Sequence, residues 1–331
     1  MDNKQISRRS LFTAAKAALS ASPFPASGTF VPTVAVQTAS IKSLLIDENG
    51  YTPIPHFYRQ QLQSIPHITS VYWALRIYGL VEKTQTLNYE DLFKLPSTQL
   101  AATLSCIGGS AQNSMIGHAL WTGVPLSALL EQVKPTSKAT YAQFYSTDGY
   151  TTYLETEKLS EAILAYQMNG ESLPREHGYP VRLIVPGLYG YKMPKWIQRI
   201  EFTDTPQPGF WEKRGWSTTG EVQTMSTILS PHHQETIQGN VQISGVAYAG
   251  KNSIEKIEIS INDAPWMPIP FNISISNTWT PWQVDWKPPT PGDYLIKVRA
   301  HDNQGFSQPD RAPAFPNGPT AIQSIVVRVT A

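Results

Sequence analysis

Five stretches between residues 221 and 331 alternate apolar and polar residues, and no stretch with helical spacing separates them. They are NVQISGVAYAG, IEKIEISIND, PWQVDWKPP, GDYLIKVRAHDNQG and SIVVRVTA. A period of two marks strands with one buried face. Turn-forming runs such as Gly250-Lys251-Asn252, Asn262-Asp263 and Pro291-Gly292-Asp293 divide them. This pattern predicts an all-β sandwich of immunoglobulin type over 221–331. Trp266, Trp279, Trp282 and Trp286 are candidates for its core or for a face against the preceding residues.

Residues 41–220 follow a different rule. Strands are expected over 71–81, 99–106, 141–147, 180–187 and 195–204. Helices are expected for NYEDLFKL behind an Asn88 cap, for 125–133, and for LSEAILAYQM over 159–168. Strands and short helices without regular alternation predict an α+β domain.

Residues 1–40 read as an export signal and linker. Ser7–Phe12, SRRSLF, fits a twin-arginine pattern ahead of a mildly apolar, alanine-rich run. Export to the periplasm or an equivalent compartment is therefore expected. With a formal net charge of +1, the chain offers no field for nucleic acid. No apolar run reaches the roughly 18 residues of a membrane span.

Cys106, in LSCIGGSAQNS, is the single cysteine, so no intramolecular disulfide can form. Three roles are open to it: a small buried filler, a nucleophile, or a thiolate ligand to a metal whose cofactor supplies the other ligands. The following Gly108-Gly109 would let the backbone pass close to such a cofactor. No glycine fingerprint for NAD, no haem-attachment motif and no further cysteines for an iron–sulfur cluster are present.

Several segments carry a resemblance. TLSCIGG with ALWTGVPLSALLE (119–131), DGYTTYLETEKL, the run from 163 to 202, GFWEKRGW (209–216) and GDYLIKVRAHDNQG together resemble the sulfite oxidase family of molybdopterin-dependent oxidoreductases. The resemblance is to its bacterial, haem-free type. It covers about residues 50–331 and implies a molybdopterin-binding domain over 41–220. It also implies an immunoglobulin-like domain over 221–331 of the kind that dimerises some members.

The family pattern implies roles residue by residue. Cys106 would ligate molybdenum. His177 and Arg182, in HGYPVR, would hold the phosphate end of the molybdopterin, with Lys192 and Lys195 near the pterin and phosphate. Asp148 and Gln61 would hydrogen-bond the cofactor. Tyr166 and Arg59 would stand on the substrate side. The implied reaction is a two-electron oxygen-atom transfer, with electrons passing to an external carrier such as a cytochrome. The substrate would be a small oxyanion or a sulfur- or nitrogen-containing compound.

One departure bears on that substrate. Sulfite-oxidising members place two arginines soon after the cysteine, where this chain has Ser110 and Ala111. A dianion wants clustered cations in a low-dielectric pocket. A less charged substrate is therefore expected. S-oxide or N-oxide reduction and a cofactor-free binding protein are the alternatives.

Overall fold

The computed structural model describes residues 46–109 and 115–331. The twin-arginine motif, Ser110 and Ala111 lie outside the described residues. The first part of the chain contains β1 (Ala74–Gly79), β2 (Gln85–Asn88), α1 (Tyr89–Leu92), β3 (Thr98–Ser105), β4 (Ile116–Pro125) and α2 (Leu126–Val133). It continues through β5 (Tyr141–Ser146), β6 (Thr151–Glu155), β7 (Ile163–Met168), β8 (Glu171–Ser172), β9 (Arg182–Ile184) and β10 (Ile197–Thr203).

These strands form two sheets, one in the order β2-β1-β10-β5-β6 and one in the order β3-β4-β7-β8, with β9 also paired to β7. One apolar cluster, including Leu75, Phe144, Leu164, Ile184 and Phe202, lies between them. The domain is mostly β, which corrects the expected balance. LSEAILAYQM is not a helix: a 3-10 turn over Thr156–Glu161 leads into β7. NYEDLFKL shrinks to the single turn α1, closed by a capping box between Asn88 and Asp91. Among the described residues, only α2 is a helix of two turns. It buries Leu126, Leu129 and Val133 and stops at Lys134, whose φ of 49° is left-handed.

The remainder forms β11 (Met225–Ser230), β12 (Thr236–Gln238), β13 (Val241–Tyr248), β14 (Ile254–Ile261), β15 (Met267–Pro268), β16 (Thr280–Trp286), β17 (Gly292–Asp302) and β18 (Gln323–Thr330). Two sheets, β11-β13-β16 and β12-β18-β17-β14-β15, share an isoleucine- and valine-rich core. Trp282 and Trp286 belong to that core. Trp279 instead packs with Ile107, Tyr189 and Tyr248 between the two halves of the chain. Trp266 is only partly buried and lies under the Arg299 guanidinium at 4.3 Å.

Candidate functional site

A cavity of about 480 Å³ opens in the first domain beside the end of β3. Cys106 lies on its wall. The Cys106 amide donates to the Met115 carbonyl at 2.9 Å, and its own carbonyl accepts from the Gly109 amide at 3.0 Å. The turn leaves Gly108 open: a Cβ there would meet nothing within 4 Å. Burial pushes the Cys106 thiol up, and the Gly108 amide partly offsets that.

Three basic side chains converge on the same cavity: His177, Arg182 and Lys195. Gly178 permits this convergence. Its φ is 120°, and a Cβ there would stand 2.9 Å from the Arg182 Cβ and 3.2 Å from that of Lys195. Arg182, 5% exposed, opens β9. Its Nη1 donates to the His177 carbonyl at 3.0 Å and its Nη2 to the Met193 carbonyl at 3.4 Å. Its Nε has no partner, and no carboxylate among the described residues lies within ion-pair distance of it.

Burial works against the charge on all three. Burial brings Arg182 down to about 10. Burial, reinforced by Arg182, brings Lys195 down to about 7 and His177 down to about 4. Lys195 spends one hydrogen on the Glu176 carbonyl at 2.7 Å. Asp148 faces the cavity with its carboxyl raised by burial, lowered in part by the Tyr150 amide and by Lys195. Gln61 also lines the space.

Six of the nine expected residues therefore meet at one cavity. The other three do not line it. Lys192 is fully buried elsewhere, its Nζ 2.7 Å from Glu212 Oε1 and 3.0 Å from the Tyr153 carbonyl. Glu212 Oε1 also accepts from Thr152 at 2.7 Å. Tyr166, on β7, has its hydroxyl 2.8 Å from the Ser97 hydroxyl and its ring beside Phe93. Arg59 is exposed between lining neighbours Tyr58 and Gln60.

Sequence reasoning passed over the aromatic wall: Tyr58, Tyr150, Phe210, Trp211 and Trp216. Tyr58 stands within electrostatic reach of both Cys106 and Arg182, and burial raises its phenol strongly. Its place directly before Arg59 in FYRQQ was the available signal.

A buried guanidinium without a counter-ion needs an anion. An unpartnered Nε, the partly buried Lys195 and a soft thiol on the same wall fit a cofactor with a phosphate at one end and a metal at the other.

Comparison with known proteins agrees. Residues 62–211 match the oxidoreductase molybdopterin binding domain. Over 151 residues the chain is 34% identical to the uncharacterized oxidoreductase YuiH of Bacillus subtilis, covering 45% of this chain and 74% of YuiH. It is 29% identical to sulfite oxidase of Arabidopsis thaliana, covering 64% of this chain and 67% of that one. It spans only 58% of the human mitochondrial sulfite oxidase, at 25% identity over 80% of this chain. The crystal structure of the sulfane dehydrogenase SoxCD from Paracoccus pantotrophus shares the fold with a TM-score of 0.72 and 25% identity. That match covers 85% of this chain and 84% of the other. The chain belongs to the sulfite oxidase-like family of molybdopterin-dependent oxidoreductases.

Proposed function

We propose that this protein is an exported enzyme that carries out two-electron oxygen-atom transfer on a substrate less charged than sulfite. The observation that carries the cofactor reading is Arg182, a buried cation with an unused donor, sharing a cavity with the chain's lone cysteine. Cys106 holds the metal as a thiolate, giving up its proton on loading. Arg182 and Lys195, with His177 beside them, bind the phosphate end. Asp148 and Gln61 orient the pterin through hydrogen bonds. When bound, the molybdenum cofactor supplies the oxygen-atom transfer itself.

The remaining features follow from the same reading. The aromatic wall excludes water from the cavity. Electrons pass to an external carrier, such as a cytochrome. Residues 1–40 direct export, and residues 221–331 form an immunoglobulin-like domain that pairs two copies. Sedimentation of purified protein tests that pairing. Oxygen transfer can run either way, so reduction of an S-oxide or N-oxide is the second reading; the uncharged Ser110 and Ala111 favour it.

The central test is metal content. Protein from a molybdopterin-competent host should hold about one molybdenum per chain. Cys106→Ser should lower metal content and turnover at least about tenfold while leaving the fold intact, because the side chain changes by one atom. A Cys106→Ser protein with full metal and full activity would sink the proposal.

A further inference from the structure

The aromatic wall of the cavity continues past it to the surface. Tyr150 lies 6.4 Å from Phe210 between ring centroids, Phe210 5.0 Å from Trp211, and Trp211 6.4 Å from Trp216. All four line the cavity that holds Cys106 and Arg182. The next ring does not. Phe315 lies 5.2 Å from Trp216 and is 52% exposed. It belongs to the segment between β17 and β18, so the two halves of the chain build this track together. Its seat is shaped for it: Gly215 has a φ of 87°, and a Cβ there would stand 3.0 Å from Phe315 Cζ. The Ser217 amide donates to the Pro316 carbonyl at 3.1 Å and fastens the two loops beside the rings. Phe315, with the partly exposed Trp211 and Trp216, forms an aromatic patch held open by its neighbours, as at protein contact surfaces.

Charge borders this patch. Lys213 and Arg214 are both exposed, on the 3-10 turn between Trp211 and Trp216. Arg214 lies over the Phe210 ring at 3.5 Å and donates to the Phe210 carbonyl at 2.7 Å. Glu212, beside them in sequence, is buried and paired with Lys192. Among the described residues, neither Lys213 nor Arg214 has a carboxylate within ion-pair distance. The turn presents two unneutralised cations beside exposed aromatic rings, on a chain whose formal net charge is only +1. Such a rim steers in a partner with an acidic face and repels a basic one.

We infer that the surface formed by Trp216 and Phe315 is the docking site of a small one-electron carrier protein that presents an acidic face around its redox centre. The inference rests on the cofactor reading above, because only a loaded cavity has electrons to exchange. Each encounter moves one electron, the carrier's centre changes oxidation state by one, and no bond forms between the proteins. A two-electron turnover therefore takes two carriers in succession. Electron transfer weakens steeply with distance, and a carrier seated on Phe315 stands one ring beyond the cavity wall.

The test uses molybdenum-loaded protein, reduced and desalted, and follows its reoxidation by stopped flow. Three oxidants are compared: plastocyanin, which has an acidic face; mitochondrial cytochrome c, which has a basic one; and benzoquinone, which is small and neutral. The wild type should react faster with plastocyanin than with cytochrome c, and added salt should slow the plastocyanin reaction. Lys213→Glu with Arg214→Glu should slow plastocyanin at least about tenfold at low salt and leave benzoquinone unchanged. Lys213→Glu alone changes one exposed side chain and should act in the same direction. Phe315→Ser should slow plastocyanin while keeping the wild-type salt dependence. A wild type that prefers cytochrome c would overturn the inference. So would a double variant that keeps the plastocyanin rate, or one that loses the benzoquinone rate in parallel, since the effect would then lie in the cavity. Where the double variant fails to fold, an unchanged plastocyanin rate in Lys213→Glu overturns it. Protein that folds without molybdenum would overturn the cofactor reading instead, and this inference with it.

Discussion

At the residue scale, the cavity shows that residue type was legible while side-chain direction was not. Cys106, His177, Arg182, Lys195, Asp148 and Gln61 line one space, as their motifs implied. Lys192 sits only three residues from Lys195, yet it turns into the core to meet Glu212. No pattern in GYKMPKW distinguishes the two lysines, because the separating fact is a carboxylate 20 residues downstream. That pair can be tested. Lys192→Met leaves Glu212 buried and unpaired, and should cost about 3–5 kcal/mol in denaturant unfolding. Lys192→Met with Glu212→Leu should recover most of the loss. Lys195 makes a pH prediction. Its folded value of about 7 lies below its ordinary 10.5, so burial of its charge costs stability in full below pH 7. Between about pH 7 and 10.5 the unfolded chain keeps a proton that the folded one lacks, and the penalty fades as pH rises. In cofactor-free protein, Lys195→Met should therefore stabilise most at pH 7 and least near pH 10, read as the difference in unfolding midpoint from wild type.

At the element scale, β16, β17 and β18 were legible because buried positions alternate with more exposed ones along each of them, which imprints alternation on the sequence. The central strands of the first domain lack that imprint. β7 is buried at five of six positions, so ILAYQM shows a continuous apolar run that also suits a helix. β4 is buried at eight of ten and was not foreseen as a strand at all. The two pair antiparallel, with a register shift between Thr122 and Gly123. Glycine permits the close approach of the strands at this point: a Cβ at Gly123 would stand 2.1 Å from the Leu164 carbonyl oxygen. The oxygen it would meet belongs to the backbone, so it cannot swing aside as a flexible side chain could. Gly123→Ala should push β4 from β7 and cost at least about 1–3 kcal/mol in urea unfolding. An unchanged midpoint would mean that the strands have slack the structure does not show.

At the scale of the whole molecule, the cysteine turn is placed by both halves of the chain. Thr103, three residues before Cys106 on β3, is the joint. Its hydroxyl lies 2.8 Å from His118 Nδ1 on β4 and accepts the Trp279 amide at 2.8 Å. Its own amide donates to the Asn277 carbonyl at 3.3 Å, and Trp279 Nε1 reaches the Gly50 carbonyl at 3.2 Å. Burial brings His118 down to about 4, so it stays neutral across the physiological range and can serve this joint as a fixed hydrogen-bond partner. Thr103→Val keeps the shape and removes the hydroxyl, leaving the Trp279 amide and His118 Nδ1 without that partner in a dry interface. The loss should be about 1–3 kcal/mol. Its signature is more specific than its size. Because the sheets beyond Trp279 lose a bond to the strand that ends in Cys106, they should uncouple. Calorimetry should show one transition for the wild type and a broadened or split one for Thr103→Val. A lower midpoint with an unbroadened transition would show that Thr103 matters only to its own sheet.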